Sequence, residues 1–254
     1  VYYRRKGEIL GEFLYLIDYL MNYQVLDVKV KDTEETAKLY TYFLDNSREI
    51  APERVRPVIV ICPGGGYEWV SEREAEPIAL KFVGAGYHAV VLHYSVAPAA
   101  HYPTALRQLA WTVAHLREHA AEYHIDPNKV VVAGFSAGGH LAAMTSTLWN
   151  RTLPEEAENP LKNISARSDF SMFIYPVITM TPHTTHGGTR NKILGAHPSP
   201  ALEEMCSAER QVTEQAPPVF LVHALDDGVS CANSRLMEQA CREKGVPASL
   251  NLYP

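Results

Sequence analysis

One serine in this chain stands among glycines spaced for nucleophilic chemistry: Gly134-Phe135-Ser136-Ala137-Gly138-Gly139. Residues 129–133 before it read as a continuous apolar strand, and residues 136–148 read as an apolar helix. A serine at such a strand-to-helix turn must hold a strained backbone conformation, and glycines two before and two after it let neighbouring chain approach without collision. The helix that opens there aims backbone N–H groups, and the positive end of its dipole, at the place where an oxyanion forms during acyl transfer. Ser136 is therefore a candidate nucleophile toward an acyl carbon. Such an attack needs donors on the carbonyl oxygen. One comes from the residue after the nucleophile, Ala137, and another from a glycine-rich loop after an earlier strand. Gly64, Gly65 and Gly66 follow the apolar run 58–62 and are expected to form that loop. Tyr67 and Trp69, just beyond it, are expected to wall the acyl or alcohol side of a substrate pocket. A third cluster, His223-Ala224-Leu225-Asp226-Asp227-Gly228, follows the apolar strand 219–222. A carboxylate at that strand end can orient an imidazole and stabilise its charged form, and Asp226 and Asp227 both stand open for the role.

These residues need a scaffold that brings three strand ends together. Residues 24–30 and 37–44 read as an antiparallel pair opening a sheet. Residues 58–62, 88–93, 129–133, 170–177, 219–223 and 248–253 read as further strands, and 72–83, 104–123, 136–148 and 233–243 as helices. Near-continuous apolar strands alternating with helices predict an α/β fold with a mostly parallel central sheet covered on both faces. Such sheets build their pockets beyond the carboxyl ends of the strands. The whole chain, 1–254, is expected to be a single domain. Residues 1–23 are read as a leader helix, and residues 150–215, partly irregular, as a cap or insert region.

The three motifs, in this order, resemble the α/β-hydrolase fold. In detail they are similar to the esterase/lipase branch that includes bacterial acetyl-esterase and acetylxylan-esterase-like proteins. The resemblance runs from about residue 58 to the end of the chain. It rests on Cys62-Pro63-Gly64-Gly65-Gly66-Tyr67, Ser71-Glu72-Arg73-Glu74-Ala75, Ile125-Asp126-Pro127-Asn128-Lys129, the run from Gly134 through Ala142, Tyr175-Pro176-Val177-Ile178 and Asp226-Asp227. Pro63 stands where many relatives carry a histidine before the glycines.

The resemblance implies a serine carboxylesterase acting on short-chain esters, acetyl above all, with a sugar or xylan fragment as a candidate alcohol. No metal and no organic cofactor is implied. In this family the acid lies four residues after the one that ends its strand, which from His223 gives Asp227; counting back from Asn233-Ser234 gives Asp226 instead. Asp227 is the expected acid. The family's catalytic histidine follows the last strand, so it is expected just beyond Pro254, in a tail absent from this sequence. Among the internal histidines, His183 and His186 are the best substitute bases. His88, His93 and His223 read as structural, and His115, His119 and His124 as solvated. Two other readings fit the same residues. One is a peptidase or amide hydrolase, because elbow and acid do not distinguish ester from amide. The other is a non-catalytic small-molecule binding protein, which has no need of a strained serine.

Composition narrows the partners. The chain has 254 residues and a formal net charge of -6, which offers no basic footprint to nucleic acid and little attraction to an anionic membrane. No long apolar lid is evident, against a lipase working at lipid surfaces. The four cysteines have no metal-site spacing and read as reduced thiols. A small-molecule ester is the expected partner, and without a visible export signal the expected location is the cytoplasm.

Overall fold

The structure, a computed structural model, describes residues 21–31, 33–151, 161 and 163–254. In chain order it forms β1 (Met21–Lys29), β2 (Thr36–Leu44), β3 (Arg56–Cys62), α1 (Glu76–Gly84), β4 (His88–His93), α2 (Thr104–Glu118), β5 (Ile125–Phe135) and α3 (Ser136–Leu148). There follow β6 (Phe170–Ile174), α4 (Gly187–Leu194), α5 (Pro200–Met205), β7 (Val219–Ala224), α6 (Ala232–Glu243) and β8 (Ala248–Tyr253). One eight-stranded sheet runs in the order β1-β2-β4-β3-β5-β6-β7-β8. The first two strands form an antiparallel hairpin that pairs antiparallel with β4, and the rest of the sheet is parallel.

Strand side chains alternate between faces, so a strand with both faces covered must be apolar at every position. In β3, Val58, Val60 and Cys62 enter the core shared with α2, α3 and α6. Ile59 and Ile61 enter the opposite core, against Ala79 of α1. All five strand residues are at most 2% exposed, which is why this run carries no polar residue.

The expected elements are present, with differences at their ends. The helix expected over 72–83 splits into a 3-10 turn, Glu72–Glu74, and α1. Pro77 has no N–H to continue a helix from the preceding turn and sits instead in the first turn of a new one. The helix expected over 104–123 stops at Glu118. The strand expected over 170–177 stops at Ile174, because Tyr175 takes φ 38°. Within the irregular stretch 179–215 lie α4 and α5, capped by the side chains of His186 and Ser199. Most of the expected leader helix, residues 1–20, lies outside the described residues, and so do 152–160 and 162 of the expected insert. Residues 21–23 are strand rather than helix, since Met21 pairs with Leu44 and Tyr23 with Tyr42. Among the described residues no helix is long and apolar enough to cross a membrane. All four cysteines are free.

Candidate active site

Ser136 lies at the junction of β5 and α3 with φ 51°, a left-handed conformation that is sterically costly for a residue with a Cβ. The neighbouring glycines explain how the turn is held. A Cβ on Gly134 would stand 2.2 Å from the Gly138 carbonyl oxygen. One on Gly138 would stand 2.0 Å from the oxygen of Cys62 and 2.3 Å from that of Pro63. The first turn of α3 is therefore pressed against the loop that leaves β3. From the other side, the Val177 N–H donates to the Ser136 carbonyl at 3.0 Å. Ser136 is half-buried, and its hydroxyl has no hydrogen-bond partner among the described residues.

The glycine loop is pinned by its carbonyls. Pro63 O accepts from the buried Tyr94 hydroxyl at 2.7 Å. Gly64 O accepts from Ser71 N–H at 3.0 Å, and Gly65 O from the N–H groups of Glu68 and Trp69 at 3.0 and 3.2 Å. A trans peptide points its N–H opposite its C=O. The Gly65 and Gly66 N–H groups thus face away from the pinned side, and neither has an acceptor among the described residues. Gly65, Gly66 and Tyr67 all take positive φ (124°, 67° and 59°), a conformation that glycine adopts without steric cost. The Gly64 N–H is committed elsewhere, to Glu74 Oε2 at 2.6 Å. Gly64 enters the site by contact, since a Cβ on it would lie 3.0 Å from that of Ser136. Ala137, second residue of α3, has an N–H with no intrahelical acceptor. Of the four residues expected to form the oxyanion hole, Gly65, Gly66 and Ala137 thus retain donors, and Gly64 spaces them from the serine.

The two aspartates differ in surroundings. Asp227 is half-buried, and its Oδ1 accepts from Val229 N–H at 2.7 Å. Its charge reaches Tyr175, whose hydroxyl is pushed well up by burial first and by neighbouring Glu74 and Asp227 in addition. Asp226 is exposed. The turn that carries them is clamped from below by His223, whose Nε2–H donates to Val229 O at 2.7 Å while Nδ1 accepts from Ser234 Oγ at 2.8 Å. Asn233 ties α6 to the loop after β6: its Oδ1 accepts from Ile178 and Thr179 N–H at 2.9 and 3.2 Å.

No internal histidine hydrogen-bonds Ser136 among the described residues. His140 is fully buried, accepts from Tyr67 Oη on Nδ1 at 3.0 Å and donates from Nε2 to Cys206 O at 2.8 Å. Burial lowers its pKa to about 4, so it is neutral. His186 uses Nδ1 to cap α4 on Thr189 N–H at 3.2 Å. His183 is exposed, with φ 71°. His115 departs from the solvated reading: it stacks on Trp111 at 4.5 Å, and burial lowers its pKa to about 4. The expected pocket wall also divides. Tyr67, with its left-handed backbone, turns into the core at 3% exposure, whereas Trp69 stays 58% exposed beside the glycine loop. Glu74, Tyr175, Asn233 and Ser234 had no contact assigned from sequence, because each bonds a residue ten or more positions away. Among the described residues no group of three or more His, Cys, Asp or Glu could hold a metal ion.

Comparison with known proteins adds an independent observation. The family model BD-FAE matches residues 46–241. Endo-1,4-beta-xylanase B of Butyrivibrio fibrisolvens is 32% identical over 203 residues, which cover 78% of this chain and 32% of that protein. Acetylxylan esterase of Xylanibacter ruminicola is 29% identical over 202 residues, covering 77% of this chain and 39% of that protein. The chain therefore spans only between 32% and 39% of the length of these two relatives. Among solved structures, the acetyl ester-xyloside bifunctional hydrolase from Caldicellulosiruptor lactoaceticus superposes with a TM-score of 0.83 at 31% identity, covering 91% of this chain and 85% of that one.

Proposed function

The chain belongs to the BD-FAE family of α/β-hydrolase esterases, and on that premise we propose that it is a serine carboxylesterase for short-chain esters, acetyl esters foremost. One observation carries the reading: a left-handed Ser136 at the β5–α3 turn, packed against Gly64 of a glycine loop whose Gly65 and Gly66 N–H groups have no acceptor among the described residues. A binding protein has no use for a serine held in a strained backbone conformation.

In this reading Ser136 Oγ attacks the ester carbonyl as an imidazole removes its proton. The Gly65, Gly66 and Ala137 N–H groups hold the oxyanion, and losing one such donor lowers the rate by about a hundred-fold or more. The imidazolium protonates the departing alcohol, and water repeats the sequence on the acyl-enzyme. Asp227 orients the imidazole. A histidine following β8 suits this geometry, because Leu225 N–H donates to Tyr253 O at 2.7 Å and the chain leaves β8 beside the turn of Asp227.

A carbohydrate alcohol is supported by two features. Trp69 presents an exposed aromatic surface next to the glycine loop, and two of the similar proteins are named for acetyl ester or acetylxylan hydrolysis. The xylanase name carries less weight, since most of that protein lies outside the match. The test is a chain-length series: p-nitrophenyl acetate, butyrate and octanoate, with acetylated xylo-oligosaccharide as the carbohydrate substrate, on the full-length protein. The expected order of kcat/KM has acetate first, with acetate released from the oligosaccharide. A preference for octanoate would contradict the short-chain assignment. Failure to release acetate from the oligosaccharide would remove the carbohydrate assignment alone.

A further inference from the structure

We propose that Glu74 is a positioning residue for the oxyanion donors, a strut that fixes the glycine loop against the far side of the site; this rests on the ester-hydrolase reading above. Glu74 ends the 3-10 turn that follows Ser71. Its backbone N–H donates to Ser71 O at 3.2 Å, and Ser71 N–H in turn donates to Gly64 O at 3.0 Å. Its carboxylate then returns to the same loop, with Oε2 accepting from Gly64 N–H at 2.6 Å. The other oxygen, Oε1, accepts from the Tyr175 hydroxyl at 3.0 Å. Tyr175 is the residue that ends β6, with φ 38° and its own N–H on Val222 O at 2.7 Å. One carboxylate thus joins the loop after β3 to the loop after β6, on either side of the strand that delivers Ser136.

The consequence follows from peptide geometry. The Pro63–Gly64 peptide is held at its carbonyl by Tyr94 and at its N–H by Glu74, so its plane cannot rotate. That plane sets the direction from which Gly65 and Gly66 start, and hence where their N–H groups point. A carboxylate near a developing oxyanion would be unfavourable if it stood bare. Here each of its oxygens accepts a hydrogen bond, from the Gly64 N–H and from the Tyr175 hydroxyl, which stabilises the anion and fixes its orientation. Without Glu74 the Gly64 N–H loses its acceptor and the peptide is free to turn, which blurs donors that must sit within a few tenths of an ångström of the transition-state oxygen.

The test combines kinetics with a measurement independent of turnover, on the full-length protein and its Glu74→Ala, Glu74→Gln and Tyr175→Phe variants, each checked for an unchanged melting transition. Glu74→Ala is expected to lower kcat on p-nitrophenyl acetate by roughly ten- to a hundred-fold with KM changed less than about three-fold. Inhibition by a trifluoromethyl ketone, which needs the oxyanion donors, should weaken in the same proportion as kcat/KM. Glu74→Gln keeps an acceptor for Gly64 and should recover more than half of that loss on a logarithmic scale. Tyr175→Phe, which leaves the Gly64 bond intact, should lose only several-fold. In parallel, amide hydrogen exchange of the segment 62–70 should accelerate in Glu74→Ala while that of 134–140 does not. An increase in KM alone, or a ketone affinity that does not move, overturns the proposal. If the parent protein hydrolyses no ester, the esterase reading fails by itself; unchanged exchange over 62–70 would then overturn the strut independently.

Discussion

Asp226 and Asp227 are adjacent, chemically identical and equally placed by motif counting, yet the fold separates them. Asp227 has a bond to Val229 N–H and lies within electrostatic reach of Tyr175, whereas Asp226 points to solvent. Asp227→Asn is expected to lower kcat by about ten-thousand-fold, the usual effect of losing the acid that fixes the imidazole tautomer, while Asp226→Asn stays within about two-fold. Steady-state kinetics on the two variants decide it, and the reverse pattern would move the acid to Asp226. The strand-to-helix turn that carries Ser136 was legible in the sequence because its surroundings are contiguous: strand, glycine, serine, glycine, helix. The glycine loop was legible for the same reason. Glu74 was not, since a glutamate in a charged turn reads as a solvated helix start until the fold carries it back to Gly64. The burial of Tyr67 was not legible, because an aromatic after a glycine loop says nothing about which way a left-handed backbone will turn it.

Elements position the serine by close packing. The first turn of α3 can approach the β3 loop only because residue 138 has no side chain. Gly138→Ala drives a Cβ into two backbone oxygens, which cannot move aside as a flexible side chain would. Destabilisation of about 3 kcal/mol or more is expected, together with loss of activity. Gly84→Ala is the control, for nothing lies within 4 Å of its added Cβ and it is helical. It should be neutral or stabilising by up to about 1 kcal/mol. Urea unfolding of both measures the contrast, and equal midpoints would refute the packing account. The bounds of β4, α3 and β8 were readable because each is an uninterrupted run of one pattern. The end of β6 was not, because Tyr175 breaks the strand by backbone conformation while its neighbours remain apolar. Nor were α4 and α5, each too short for periodicity to show.

At the scale of the molecule, burial of histidines sets an acid limit. His88, His115 and His140 each have a pKa lowered to about 4, mainly by desolvation. Unfolded, each binds its proton near pH 6.5. Between those values the unfolded state holds more protons, so stability rises with pH and is lost as pH falls from about 6.5 toward about 4. Each such histidine contributes a slope of up to about 1.4 kcal/mol per pH unit. Glu209, whose carboxyl burial pushes up, opposes them in part. Unfolding free energy is expected to fall steadily from about pH 7 to about pH 5 in urea titrations, by more than one proton's slope. A flat profile would mean that these histidines are not desolvated in solution. The parallel sheet itself was readable from apolar runs, because strands buried on both faces leave no room for alternation.

The most direct measurement is the initial rate of p-nitrophenyl acetate hydrolysis by the full-length protein, beside its Ser136→Ala variant. The expected result is saturable turnover by the parent and a rate at background for the variant. Turnover that survives Ser136→Ala would place the nucleophile elsewhere, and a folded parent with no turnover would leave a binding protein on a hydrolase scaffold.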